Sequence, residues 1–147
     1  MTTPWPEGRR AVLEWGLKRS LLEYLRRDPA FAWDADGVDF DPETGVRFPA
    51  VTTSRGLLAS GSLVLRAHAG ALRVPLVGVR IDDGALTIDD PVEGAPERLA
   101  LVVLGDAVPI PGGHELSATL APDADSLFLF NYVPRTPFDP VRVLVES

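Results

Sequence analysis

Turn-forming residues recur along this chain at short intervals, and that spacing limits its fold more than any other feature. Fourteen prolines and 13 glycines are spread over 147 residues, without a repeat or a low-complexity linker. Proline and glycine favour turns and interrupt regular elements, so most of the segments between them are short. Several of these segments alternate between apolar and polar residues, which is the pattern of strands. The chain is therefore predicted to be mainly β.

The predicted strands fall after residue 28. A turn, "DPETG", separates two strands at residues 38–40 and 46–48. In residues 62–68 and 72–81 apolar side chains recur at every second position, and residues 82–90, "DDGALTIDD", read as a turn followed by a strand. Further strands are predicted at residues 99–104, 114–120, 127–132 and 141–145. About eight short strands indicate an antiparallel β-sandwich or a partly open barrel.

One N-terminal helix is predicted over residues 10–28, "RAVLEWGLKRSLLEYLRRD". Apolar residues there recur at three- and four-residue steps, and charged residues occupy the other positions. Asp28 precedes Pro29, and proline disfavours helical geometry in the residue before it. The helix is expected to end there and to pack on one side or one end of the strands.

Length, charge and the absence of cysteine limit the possible domain organisation, partners and location of the chain. At 147 residues the chain fits a single domain, residues 1–147. A net charge of −7 with scattered basic residues argues against nucleic acid and anionic membranes as partners. Without cysteine there is neither a disulfide nor thiolate metal ligation. No signal peptide and no long apolar run is evident, so a cytoplasmic location without membrane insertion is expected.

No catalytic motif is evident, and most carboxylates fall in predicted turns. Three polar-tipped side chains remain as candidates. Tyr24 lies one turn after Ser20 on the apolar helix face, as either a core tyrosine or a group facing a cavity. His68 ends a predicted strand, as either a hydrogen-bonded turn residue or a ligand. Tyr132 closes the apolar run "SLFLFNY", and His114 is expected in an exposed turn.

Three stretches together resemble the HtaA domain, the haem-binding module of actinobacterial haem-uptake proteins. "LEWGLKRSLLEYL" is similar to that family's opening Trp-Gly-Val-Lys-x-Ser-x-x-x-Tyr pattern. "GSLVLRAHAGALRVPLVGVRI" resembles its strand pair around Gly-His-x-Gly, and "FLFNYVPRTPFDPVRV" resembles its ending Phe-x-x-Tyr … Asp-Pro-Val. The stretches occur in the family's order and span nearly the whole chain.

The resemblance implies a haem site. Tyr24 would be the axial metal ligand of ferric haem, with His68 and Tyr132 supporting it. A phenolate is a hard anionic oxygen donor suited to ferric iron, and an adjacent imidazole can share the phenol proton. Ser20 and Arg135 complete the candidate haem-binding residues, with Arg135 placed to pair with a propionate.

The leading hypothesis is a non-enzymatic protein for haem transfer, buffering or sensing. Its partners would be haem or a similar flat apolar ligand, and a haem-donor or haem-acceptor protein. The alternative is an interaction or structural module that has lost haem binding. That alternative predicts that Tyr24 is packed over and that an apolar patch lies around Trp5 or Phe138. An enzyme would need a third titratable group beside His68, with Asp139 the nearest candidate by motif.

Overall fold

The computed structural model describes residues 3–91, 98–124, 127 and 132–146. Within these ranges the chain forms twelve strands and one α-helix. In chain order they are β1 (Arg10–Trp15), α1 (Arg19–Arg26), β2 (Ala32–Asp36), β3 (Asp39–Asp41), β4 (Gly45–Thr52), β5 (Gly56–Ala59), β6 (Ser62–Ala67), β7 (Leu72–Val77), β8 (Arg80–Asp82), β9 (Ala85–Asp89), β10 (Arg98–Ile110), β11 (Gly113–Leu120) and β12 (Pro137–Val145).

Eight strands form a closed antiparallel barrel. Its order is β1-β12-β11-β10-β9-β8-β5-β4, and pairing of β1 with β4 closes the ring. The extra strand β3 pairs with the first residues of β4. Closure leaves the eight barrel strands without a free edge, which protects them from pairing with other chains. The predicted class, mainly β with antiparallel strands and one N-terminal helix, is confirmed. Of the two predicted architectures, a sandwich or a partly open barrel, the structure has the barrel, and it is closed.

A second sheet of three strands, in the order β2-β6-β7, carries the hairpin that contains His68. The predicted alternation is confirmed along both hairpin strands, because every second side chain is buried. A short 3-10 turn, His68–Gly70, joins β6 to β7. His68 therefore follows directly after the buried Ala67, at the tip of the hairpin. The buried side chains of the hairpin strands are Leu63, Leu65, Ala67, Leu72, Val74 and Leu76, and Pro75 is buried as well.

The predicted helix over residues 10–28 is wrong in its first half. Residues Arg10–Trp15 form strand β1, and the helix begins only at Arg19. In β1 every second side chain is buried, and the strand pairs with β4 on one side and β12 on the other. Leu17 separates the two elements in a left-handed backbone conformation, with φ of 58°. Long-range pairing overrides the helical periodicity of this segment.

One further prediction is wrong, and another falls mostly on residues that the structure does not describe. His114 belongs to β11, where it is partly buried and lies against Trp5 with 5.8 Å between the ring centroids, so the predicted exposed turn is wrong. The strand predicted at residues 127–132 lies mostly outside the described residues. No helix within the described ranges is long and apolar enough to span a bilayer.

Candidate functional site

Helix α1 presents Tyr24 at the edge of its buried face. Leu21, Leu22 and Leu25 are buried in the hydrophobic core, whereas Tyr24 remains 46% exposed. Residues three and four positions apart share one face of a helix, so Ser20 and Tyr24 lie on the same side. The helix therefore holds the phenol at a fixed position while leaving it open to solvent.

The phenol of Tyr24 is hydrogen-bonded to His68. The distance from Tyr24 Oη to His68 Nε2 is 2.7 Å, and the ring centroids lie 5.4 Å apart with a tilt of 53° between the planes. The two residues are 44 positions apart in the sequence. The fold thus brings the first helix and the tip of the β6–β7 hairpin together, and the contact joins an acidic O–H to an imidazole nitrogen.

The turn that carries His68 has an unusual backbone. His68, Ala69 and Gly70 have φ values of 53°, 55° and 94°, so three successive residues lie in the left-handed region. Residues other than glycine rarely adopt this conformation, because the Cβ atom approaches the carbonyl oxygen. Such conformations persist where surrounding contacts hold them, and they cluster at functional sites. Here the contacts come from Asp28.

One carboxylate oxygen of Asp28 lies close to two nitrogens of His68, in the backbone and in the ring. Its Oδ2 atom accepts the backbone N–H of His68 at 2.7 Å and lies 3.2 Å from the ring atom Nδ1. Its Oδ1 atom accepts the backbone N–H of Ala30 at 2.8 Å. The backbone N–H of His68 is the main reason that the pKa of Asp28 is lowered, and the N–H of Ala30 adds to it. The carboxylate is therefore ionised near neutral pH.

The sequence interpretation missed Asp28 as a site residue. It treated the Asp-Pro pair only as the end of the helix. The available indication was that Asp often binds the backbone N–H two residues later, which keeps its carboxylate at the helix end. Nothing local identifies the imidazole that this carboxylate also contacts.

Tyr132 lies beside the helix in a more buried setting. Burial raises its pKa above the ordinary value of 10, the hydrogen bond with Ser20 lowers it in part, and nearby Tyr24 raises it further. Its ring packs edge-on against Phe138, with 5.7 Å between centroids, and the Lys18 ammonium lies 5.7 Å from the ring centre. Tyr132 is thus a neutral phenol next to the Tyr24–His68 pair.

Arg135 is exposed, with φ of 70° and its backbone N–H donated to Leu120 O at 2.9 Å. Within the described residues its guanidinium forms no hydrogen bond or ion pair with the other candidate residues. Asp139 is not beside His68 either. Its carboxylate instead accepts the backbone N–H of Arg19 at the start of the helix. Besides Tyr24, the titratable side chain that the structure places against His68 is Asp28.

The surroundings of Trp5 and Phe138 differ from those of Tyr24. Each of these two side chains is only 6% exposed, and Trp5 donates its indole N–H to the carbonyl of Gly56. Neither contributes to an exposed apolar patch. Among the described residues no three histidine or carboxylate side chains gather into a candidate metal cluster.

Comparison with known proteins shows which fold this is. No family model matches the chain, and no curated protein matches it. Among solved structures, the C-terminal domain of HtaA from Corynebacterium glutamicum is similar with a TM-score of 0.70 and 19% identity, over 95% of this chain and 97% of that one. The N-terminal domain of the same protein has a TM-score of 0.70 and 14% identity, over 97% and 99%.

A third similar structure is a histidine-to-alanine variant of that C-terminal domain, solved as a domain-swapped dimer. It has a TM-score of 0.56 and 17% identity, over 100% of this chain and 99% of that one. At these identities the likeness shows the fold. The chain has the fold of an HtaA domain along nearly its whole length.

Proposed function

We propose that this chain is a single HtaA-like domain, residues 1–147, that binds haem without catalysing a reaction and uses Tyr24 as the axial ligand. One observation carries the proposal: an exposed phenol, on a helix fixed by buried leucines, is hydrogen-bonded to His68 Nε2 at 2.7 Å. The likeness to HtaA domains supplies the fold in which such a pair would serve haem.

The donor chemistry fits ferric haem. Bound haem would supply a ferric iron that takes an axial ligand from the protein, and tyrosine is a known axial ligand of haem iron. A phenol must release its proton to become an anionic ligand. His68 stands within hydrogen-bond reach of that proton, and the ionised Asp28 behind the ring would stabilise a protonated imidazole. Tyr24 and the His68 ring are both partly exposed to solvent, whereas the Asp28 side chain behind them is only 13% exposed.

Neighbouring side chains are proposed to support the bound group. Ser20 and Tyr132 are hydrogen-bonded to each other on the same flank of the helix, next to Tyr24. A neutral Tyr132 ring offers an apolar contact for a porphyrin edge. Arg135 is an exposed cation that follows Tyr132 by three residues, and it is proposed to pair with a propionate. A site this open to solvent would let haem enter and leave, which suits haem transfer, buffering or sensing. A haem-donor or haem-acceptor protein would then be the partner.

The exposed fractions of Tyr24, Trp5 and Phe138 favour haem binding over the interaction module, because Tyr24 is exposed and the other two are buried. A module that had lost its ligand would have Tyr24 packed over, together with an exposed patch at Trp5 or Phe138. Tyr24 is instead 46% exposed, and the other two are 6% exposed.

The proposal is tested by titrating purified protein with ferric haem and recording the absorption spectrum. We expect a saturable one-to-one shift of the Soret band with high-spin ferric features, lost in Tyr24→Phe. Tyr132→Phe is the matched control, because it removes the other phenol of the chain, and it should retain saturable binding with weaker affinity. A wild-type protein without a saturable shift would contradict haem binding, and unchanged spectra in Tyr24→Phe would contradict the ligand.

A histidine variant requires one extra measurement. His68→Gln keeps a polar side chain of similar reach and is expected to bind haem more weakly, with an altered spectrum. Its oligomeric state should be measured by size-exclusion chromatography, because a histidine-to-alanine variant of the Corynebacterium C-terminal domain forms a domain-swapped dimer. Monomeric His68→Gln with wild-type affinity and spectrum would contradict a role for His68.

A further inference from the structure

We propose that Asp28 is a positioning residue that holds the His68 ring in the tautomer with hydrogen on Nδ1, so that Nε2 is the acceptor facing Tyr24. The tautomer is a property of the protein by itself. Its consequence for iron ligation rests on the proposed function. Asp28 belongs to neither of the two elements that carry the pair, since it lies between α1 and β2.

The contacts of Asp28 determine the direction of the hydrogen bonds. An ionised carboxylate only accepts hydrogen bonds, so the ring atom 3.2 Å from Asp28 Oδ2 must carry a hydrogen for a favourable contact. A neutral imidazole has one N–H, and the hydrogen on Nδ1 leaves a lone pair on Nε2. Tyr24 then donates its O–H to Nε2 across 2.7 Å. In this arrangement the Tyr24 O–H points to Nε2 and the N–H at Nδ1 faces the carboxylate, so both hydrogens point from Tyr24 towards Asp28.

The burial of the carboxylate supports this role. The Asp28 side chain is 13% exposed, whereas the His68 side chain is 35% exposed. Water therefore competes less for the carboxylate than for the ring. The same oxygen also accepts the backbone N–H of His68, so it holds both the main chain and the ring of one residue. This double contact restricts the rotation of the ring as well as its protonation pattern.

An amide cannot replace the carboxylate. Asp28 Oδ1 accepts the N–H of Ala30, and Oδ2 accepts the N–H of His68. Both oxygens are therefore needed as acceptors, whereas asparagine offers one acceptor and one donor. In Asp28→Asn either the turn or the His68 contact loses its acceptor. The tautomer preference should then weaken even if the barrel is intact.

The tautomer can be measured without haem. The chain has two histidines, so protein labelled with ¹⁵N-histidine gives two ring systems by NMR, and His114 serves as an internal reference. In mildly alkaline solution, where histidine is ordinarily neutral, wild-type His68 should show a pyrrole-type Nδ1 and a pyridine-type Nε2. Asp28→Asn and Asp28→Ala should move both nitrogens towards the averaged shifts of an exchanging ring.

A matched control separates this role from turn stability. Asp41 accepts the backbone N–H two residues later at 2.7 Å, as Asp28 does. Asp41→Asn therefore perturbs an equivalent turn without touching an imidazole, and should leave the His68 shifts unchanged. Should Asp28→Ala fail to fold, Asp28→Asn decides the question. His68 shifts that stay pyrrole-type at Nδ1 in a folded Asp28 variant would overturn the proposal.

Haem titration of the same variants distinguishes the two proposals. Loss of a partner that orients a ligand typically costs about 10–100-fold in affinity, and we expect that range for Asp28→Asn, with a changed ferric spectrum. If the wild type binds no haem but shows the expected tautomer, the proposed function fails and the role of Asp28 stands. If haem binds through Tyr24 but the tautomer is indifferent to Asp28, the role of Asp28 fails alone.

Discussion

The carboxylate of Asp139 accepts a hydrogen bond from the backbone N–H of Arg19, 120 residues earlier in the sequence, and so caps the helix that carries Tyr24. The backbone of Asp139 also binds this segment. Its N–H donates to Leu17 O, and its carbonyl accepts the indole N–H of Trp15, each at 2.8 Å. These bonds join the Trp15-Gly16 segment to the Asp139-Pro140 segment, at one junction between β1, α1 and β12.

Removal of this cap should destabilise the protein. A carboxylate at a helix N-terminus satisfies a free N–H and complements the helix dipole. Asp139→Ala is therefore expected to lower the free energy of unfolding by about 1 kcal/mol, as measured by urea denaturation. Asp36→Ala, which removes an exposed carboxylate on β2, is the control and should change it by less than about 0.5 kcal/mol. Equal effects would contradict the capping role.

Gly45, the first residue of β4, should not tolerate a larger side chain, because the backbone of Trp15 and Gly16 lies directly against it. Gly45 has φ of 109°, and a Cβ atom there would overlap the carbonyl of Trp15 and the Cα of Gly16. Gly84 has a similar φ of 84° but open space around it. Gly84→Ala should cost about 1–2 kcal/mol for the backbone conformation alone. Gly45→Ala should cost more in the same thermal unfolding experiment, and similar losses would contradict the close approach.

The strained turn at His68 predicts a stabilising substitution. Ala69 has φ of 55°, which costs alanine about 1–2 kcal/mol relative to glycine, against about 0.4–1 kcal/mol of extra chain entropy for glycine. Ala69→Gly should therefore leave the free energy of unfolding unchanged or raise it by up to about 1.5 kcal/mol. Ala71→Gly is the control, because Ala71 has an ordinary φ of −66° and should lose stability. The opposite order in urea denaturation would contradict the strain.

The raised pKa of Tyr132 predicts that its phenol loses its proton at a higher pH than an ordinary tyrosine does. Burial is its main cause, so it persists when the Tyr24 phenol is removed. The chain has two tyrosines, and in Tyr24→Phe the phenolate absorbance reports Tyr132 alone. It should appear above pH 10, the ordinary value for this side chain.

The raised pKa of Tyr132 also makes the free energy of unfolding depend on pH. The direction follows from which state, folded or unfolded, holds the phenol proton more tightly. The folded state favours the neutral phenol, so its contribution is fully present below the unfolded pKa and is lost as pH rises through the folded pKa. The stability difference between Tyr24→Phe and the double variant with Tyr132→Phe should therefore change only in alkaline solution. A Tyr132 that titrates at or below pH 10 would contradict burial of this phenol.

The candidate site was partly predictable from the sequence. The three stretches that resemble the HtaA domain pointed to Tyr24 and His68, and the strand alternation put His68 at the end of a strand. The role of Asp28 could not be predicted, because its contact with the imidazole joins residues 40 positions apart. Asp139 was the nearest candidate by motif for the third titratable group that an enzyme would need beside His68, and it caps the helix instead.

Local physical chemistry was enough to determine the β class, the alternating hairpin and the helix around Tyr24. Each of these depends on neighbours within a few residues, through turn formation, strand alternation or helical spacing. Only the tertiary structure decided that residues Arg10–Trp15 form a strand, because their partners lie in β4 and β12. It also decided the Asp28–His68–Tyr24 chain. Contacts of this kind depend on how distant elements pack, and no local pattern encodes that packing.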